Sequence, residues 1–129
     1  MTKLVAVYGT LKRGFGNHRV LEMDNGEYVG TGRTVKPWTM YGGRGFPRVV
    51  EQERSDGVGV HVELFECPDV SNMDMLEGHP RFFERKEVEV AIYNDTGIQE
   101  VVTAWMYFHP PISNSHAELQ EDGVWMGGY

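Results

Sequence analysis

The 129 residues fit one domain with enough length to bury a single core, and an apolar content of 40% suits a globular fold. A formal net charge of −7 argues against a nucleic-acid surface, and no apolar run approaches the ~20 residues needed to span a bilayer. The lone Cys67 cannot pair within the chain and fits a reducing compartment, while Met1-Thr2-Lys3 leads straight into the first strand with no room for a signal peptide, so a cytoplasmic protein is expected.

Leu4-Val5-Ala6-Val7-Tyr8 is apolar on both faces, as in a buried strand, and breaks at Gly9 into a polar turn. Without a Cβ at Gly9 the backbone can leave the strand sharply. The N–H groups around Tyr8 to Leu11 can then face outward as a small anion-binding concavity suited to a carboxylate. Spacing alone is also met by a strand and an unliganded glycine turn. Lys12, Arg13, His18 and Arg19 flank this turn, and read either as a local positive field for an acidic small molecule or as ordinary solvated charges.

Asn17 is placed to cap a short helix carrying Val20, Leu21 and Met23, ended by Asp24-Asn25-Gly26. Glu27 to Val35 reads as a strand bent at Gly30 and Gly32, and Gly42 to Gly45 as a flexible loop. These glycines lack the spacing and following helix of a dinucleotide fingerprint. Arg48-Val49-Val50 resumes a strand that ends in the polar run Glu51 to Asp56.

Gly57 to Phe65 alternates Val58, Val60, Val62 and Leu64 against Gly59, His61 and Glu63, which predicts a strand with His61 at the surface. Pro68 to Ser71 opens a short helix with Ser71 and Asp74 spaced as a capping box and Val70, Met73 and Leu76 inward, stopped by Gly78 and Pro80. Arg85 to Tyr93 and Glu100 to Phe108 predict a hairpin joined by Asn94-Asp95-Thr96-Gly97, and the tail ends in Gly123-Val124-Trp125-Met126-Gly127-Gly128-Tyr129. Strands outnumber helices and the glycines supply bends, so the expected fold is α+β, a small mixed β-barrel with a few short helices, forming a single domain over residues 1–129.

The run Tyr8-Gly9-Thr10-Leu11-Lys12 resembles the signature of the gamma-glutamylcyclotransferase-like superfamily, and its continuation through Asn17-His18-Arg19-Val20-Leu21 is similar to the gamma-glutamylaminecyclotransferase branch. The resemblance goes on through Gly32-Arg33-Thr34 with Pro37, Phe46-Pro47, Gly59, Leu76-Glu77-Gly78-His79-Pro80, Phe83 and Arg85, and in the last third only through an aromatic strand and the Gly123-x-Trp125 ending. It implies the same barrel, with a site at one end, and a catalytic glutamate at Glu77. Glu77 closes a predicted helix, and both the dipole there and any burial would raise its pKa, as a base working near neutral pH requires. A glutamate at a helix end is, taken alone, more often a solvated surface residue.

The implied reaction is intramolecular aminolysis of a gamma-glutamyl amide. The substrate's α-amine attacks its own side-chain carbonyl, forming 5-oxoproline and expelling an amine or amino acid, with no metal or organic cofactor required. Tyr8, Gly9, Thr10 and Leu11 would hold the substrate's α-carboxylate, and Phe83, Arg85 and Tyr107 are further candidates for substrate contact. Phe83 stands where close relatives often have tyrosine, so a hydroxyl is missing there. Arg85 is equally suited to pairing with Glu84 or Glu87, and Tyr107 to the core.

Cys67 fits a buried structural thiol, the histidines lack the spacing of a helical zinc pair, and there is no Gly-x-Ser-x-Gly elbow. His79, beside Glu77, is either its tuner or a loop histidine. The contrasting reading is a module that keeps the barrel but only binds an anionic small molecule or a protein.

Overall fold

The computed structural model describes residues 3–42, 47–55, 57–94, 97–111, 118–120 and 123–125. The apolar runs and alternating stretches become β1 (Lys3–Val7), β2 (Glu27–Thr34), β3 (Trp38–Gly42), β4 (Arg48–Glu53), β5 (His61–Cys67), β6 (Glu84–Asn94), β7 (Gly97–Phe108) and β8 (Glu118–Leu119). Two short helices, α1 (His18–Met23) and α2 (Ser71–Glu77), interrupt them.

Five strands close a barrel in the order β1-β5-β2-β6-β7, antiparallel throughout except where β1 meets β7 in parallel at Val5 and Trp105. The expected small mixed barrel is the fold observed. β1 is buried on both faces because it separates two apolar clusters. Ala6 and Tyr8 point into the barrel with Val62, Leu64, Val90 and Met106, whereas Val5 and Val7 face outward and are covered by Leu21 of α1 and Met73 of α2. A small sheet, β4-β3-β8, adds Met40 and Val49 to the interior cluster and is tied to the end of β7 by the His109 N–H donating to the Val49 carbonyl at 2.8 Å.

Several local expectations are corrected. Gly42, read as the start of a flexible loop, closes strand β3 (Trp38–Gly42), for which no strand was expected; Gly43 to Phe46 lie outside the described residues. The strand predicted from Gly57 starts at His61 and runs to Cys67, leaving Val58 half exposed. Asn17 makes no side-chain cap and instead donates from Nδ2 to Thr10 Oγ1 at 3.0 Å.

Nor does Asp74 form a capping box. The start of α2 is held by Asp24, a fully buried carboxylate that accepts the N–H groups of Asn72 and Met73 at 3.1 and 2.9 Å. Met73 faces inward as expected, but Leu76 is exposed. The β6–β7 hairpin forms, with Asp95 and Thr96 of its turn outside the described residues.

His61 is corrected too. Its Nδ1 is buried without a hydrogen-bond partner among the described residues, and burial, with the charges of Lys12 and Arg33, lowers its pKa. Cys67 is a buried thiol pushed up to about 12 by burial and then by Asp24. Among the described residues, no helix is long and apolar enough to cross a membrane.

Candidate active site

The site lies at the end of the barrel where β1 runs out, α2 ends and β6 begins. Gly9 opens it. A Cβ there would stand 2.6 Å from Pro47 Cγ, so only glycine lets the turn pack under that ring. The turn is then fixed through its carbonyls: Lys12 N–H donates to Gly9 at 3.0 Å, Asn17 N–H to Thr10 at 3.0 Å, and His18 Nδ1 to Leu11 at 2.8 Å. The N–H groups of Gly9, Thr10 and Leu11 have no acceptor among the described residues. Three such dipoles held on one short turn are suited to an anion.

Opposite the turn, α2 ends on Glu77. Gly78 follows with φ 70°, a left-handed conformation that glycine adopts without strain, and the Glu77 carbonyl accepts the Phe83 N–H at 3.1 Å. The chain thus turns straight back on itself, setting Phe83 beside Glu77. A cavity of about 280 Å³ results, lined by Tyr8, Gly9, Thr10 and Leu11 on one side and by Glu77, Phe83 and Tyr107 on the other. No lysine or arginine is among its lining residues, which include Asn17, Pro47, Leu76 and Phe82.

Glu77 sits in this cavity with its pKa raised to about 7 by burial. No described residue donates a hydrogen bond to its carboxylate, so desolvation goes uncompensated. Tyr8, fully enclosed, donates its hydroxyl to the Tyr107 carbonyl at 2.8 Å; burial and then the Glu77 charge hold it un-ionised. The Tyr107 hydroxyl donates to Asp74 Oδ1 at 2.5 Å, and burial followed by that hydrogen bond raises its pKa.

Arg85, expected as a substrate contact, is not among the lining residues. Its guanidinium forks onto Asp74, with Nε to Oδ1 and NH2 to Oδ2 both at 3.0 Å, and stacks over Trp105 at 4.8 Å. Burial pushes Asp74 up, but the hydrogen bonds from Arg85 and Tyr107 outweigh it and hold the carboxyl below its usual range. Asp74 lies one turn before Glu77, so this cluster anchors the helix that carries Glu77. His79 belongs to the same cluster: its Nδ1 accepts the Arg85 N–H at 3.0 Å, which leaves Nε2 as the protonated nitrogen of the neutral ring.

Of the charged residues flanking the turn, Lys12, Arg13, His18 and Arg19, none lines the cavity. Lys12 is buried and donates from Nζ to the Trp125 carbonyl at 2.7 Å, and Arg13 pairs with Glu63 while lying 3.5 Å over the Tyr28 ring. The sequence reading missed Asn17 and Asp74 as site-building residues. Both fit helix caps by their position in the sequence, although Asn17 stands within the motif run.

Known proteins resemble this chain in sequence and in fold. A protein of Methanocaldococcus jannaschii, provisionally named a gamma-glutamylcyclotransferase, is 35% identical over 106 residues, which is 82% of this chain and 83% of that one. Gamma-glutamylaminecyclotransferase B of Danio rerio is 31% identical over 111 residues, 81% of this chain and 58% of that protein. The crystal structure of an AIG2-like protein from Mus musculus shares the fold, with a TM-score of 0.79 at 22% identity, covering 94% of this chain and 87% of the other. With residues 5–127 matching that family's sequence pattern, the chain belongs to the gamma-glutamyl cyclotransferase, AIG2-like family.

Proposed function

We propose that this protein is a gamma-glutamyl cyclotransferase that converts a gamma-glutamyl amide to 5-oxoproline and a free amine or amino acid, with Glu77 moving the proton. The observation that carries the reading is the pairing of a desolvated Glu77, with a pKa of about 7, and three unengaged backbone N–H groups across one small cavity.

The N–H groups of Gly9, Thr10 and Leu11 take the substrate's α-carboxylate. That fixes the glutamyl chain with its α-nitrogen on the Glu77 side. The Glu77 carboxylate removes a proton from the α-ammonium, and the freed lone pair attacks the γ-carbonyl carbon. In the tetrahedral intermediate the Glu77 acid gives that proton to the leaving nitrogen, and its carboxylate then takes the second proton from the ring nitrogen; on collapse the carbon–nitrogen bond to the leaving group breaks, and the amine departs with this second proton as an ammonium ion. Nucleophile and carbonyl are already tethered, so fixing one conformer supplies much of the acceleration. Tyr107, whose hydroxyl proton is committed to Asp74, shapes the cavity and holds α2 in place.

The test is 5-oxoproline release, followed by mass spectrometry, from a panel of gamma-glutamyl amines and gamma-glutamyl amino acids. Wild type is expected to turn over at least one of them, and Glu77→Gln to lose about 10²–10⁴ in kcat. A folded wild type that releases nothing across the panel would reassign the cavity to binding alone.

A further inference from the structure

Next to the cavity lies a second, larger depression of about 550 Å³, and Phe82 lines both. The partition is aromatic. Phe82 packs edge-on against Phe83 at 5.1 Å and His109 at 5.0 Å; Phe83 faces the cavity and His109 the depression. β4 links the two as well, since Pro47 just before it lines the cavity while Val50 and Glu51 line the depression. A substrate with its glutamyl end between the Gly9–Leu11 turn and Glu77 carries its leaving nitrogen at the glutamate. The half-exposed Phe82 ring, which lines both spaces, offers what is attached to that nitrogen a surface leading toward this groove.

The groove is lined by two cations, Arg81 and Lys86, and two carboxylates, Glu51 and Glu84, but the two cations are partnered differently. Lys86 is held by Glu51 at 2.5 Å and by Glu84 at 3.6 Å, so its ammonium is already neutralised by two carboxylates. Arg81 also lines the groove, is exposed, and forms no hydrogen bond or ion pair with a described residue. A guanidinium in that state is a donor fork suited to a carboxylate.

We propose that this groove is the leaving-group subsite, and that Arg81 selects substrates whose leaving group bears a free carboxylate, an amino acid or peptide, over those releasing a simple amine. The assignment rests on the cyclotransferase reading. Phe82 supplies the apolar surface for the aliphatic part of the leaving group, and Arg81 sets the specificity without touching the reacting atoms.

The test compares two substrates that differ in one carboxylate, gamma-glutamyl-L-alanine and gamma-glutamyl-ethylamide, through the ratio of their kcat/KM values. Wild type is expected to favour the alanine compound by about tenfold or more, Arg81→Gln to bring the ratio to within about twofold of one, and Arg81→Lys to restore part of it. Calorimetric titration of gamma-glutamyl-L-alanine into Glu77→Gln, with and without Arg81→Gln, reads the same contact without turnover, and the added substitution is expected to weaken binding by about tenfold. A ratio unchanged by Arg81→Gln, with both compounds still yielding 5-oxoproline, overturns the subsite and leaves the cyclotransferase reading standing. If folded wild type converts neither these two compounds nor any other gamma-glutamyl compound of the panel, and Glu77→Gln binds neither, the cyclotransferase reading falls and the subsite with it.

Discussion

Glu77 is partly buried and takes no hydrogen bond from a described residue, so its ionisation is governed by desolvation, and this has two consequences at the scale of the residue. The active form in the proposed reaction is the carboxylate. kcat/KM should therefore rise with pH to a plateau set by a group near pH 7, whereas a solvated glutamate would place that limb near pH 4.5. Stability should run the other way. The folded-state pKa lies above the unfolded value, so the folded protein binds the extra proton, and that stabilisation is complete below about pH 4.5 and lost as pH rises through about 7. Glu77→Gln, which never ionises, is expected to be more stable than wild type by up to about 3 kcal/mol at pH 8, with the gap closing toward pH 4.5. Urea denaturation of both proteins at the two pH values checks it; a gap independent of pH would mean that Glu77 is solvated.

At the scale of elements, α2 is too short to hold itself, since seven residues make barely two turns. It is secured from outside: Asp24 takes the N–H groups of Asn72 and Met73, and the Arg85 and Tyr107 side chains grip Asp74. Asp24→Ala is expected to cost about 1–3 kcal/mol by leaving buried N–H groups unsatisfied, and to lower kcat by displacing Glu77 at the far end of the helix. Denaturant midpoints and single-substrate kinetics read both effects; a loss of stability with kcat intact would separate the helix start from the site. Such long-range anchors explain what the sequence could not reveal. The strands β1, β6 and β7 are legible from local apolar patterning, and Glu77 is legible as a candidate from the motif around it. Asp74 is not, because its partners stand 11 and 33 residues away and only the fold brings them together. Asn17 is misread for a local reason: its amide is taken by Thr10 across the turn, not by the helix it precedes. The strand Trp38–Gly42 is hard to read although Trp-Thr-Met-Tyr is strand-prone, because it runs straight into the glycines that read as a loop from Gly42.

At the scale of the whole molecule, the last described residues close the barrel on the side of Lys12. Trp125 is 4% exposed, belongs to the interior cluster, and packs against Phe15 at 5.1 Å. Its carbonyl receives the buried Lys12 ammonium, and the nearby Gly123 carbonyl accepts the His61 N–H at 2.8 Å. Burial lowers the Lys12 pKa even against the opposing Glu63 charge, and Lys12 N–H also closes the turn at Gly9. One residue thus joins the chain's end to the turn that faces Glu77. Trp125→Ala removes a large interior side chain and frees the segment that supplies the acceptor, which should cost about 3–5 kcal/mol and lower Tm by roughly 10–20 °C. Because the Gly9–Leu11 turn loses its outer support, KM for a gamma-glutamyl substrate is expected to rise at low temperature, where the variant stays folded. Lys12→Ala should reproduce the rise in KM with a smaller fall in Tm, since it cuts the tie and leaves the tryptophan packed. If KM stays at the wild-type value in both variants while Tm falls, the tail serves the barrel's stability alone and the turn is held sufficiently by Asn17 and His18.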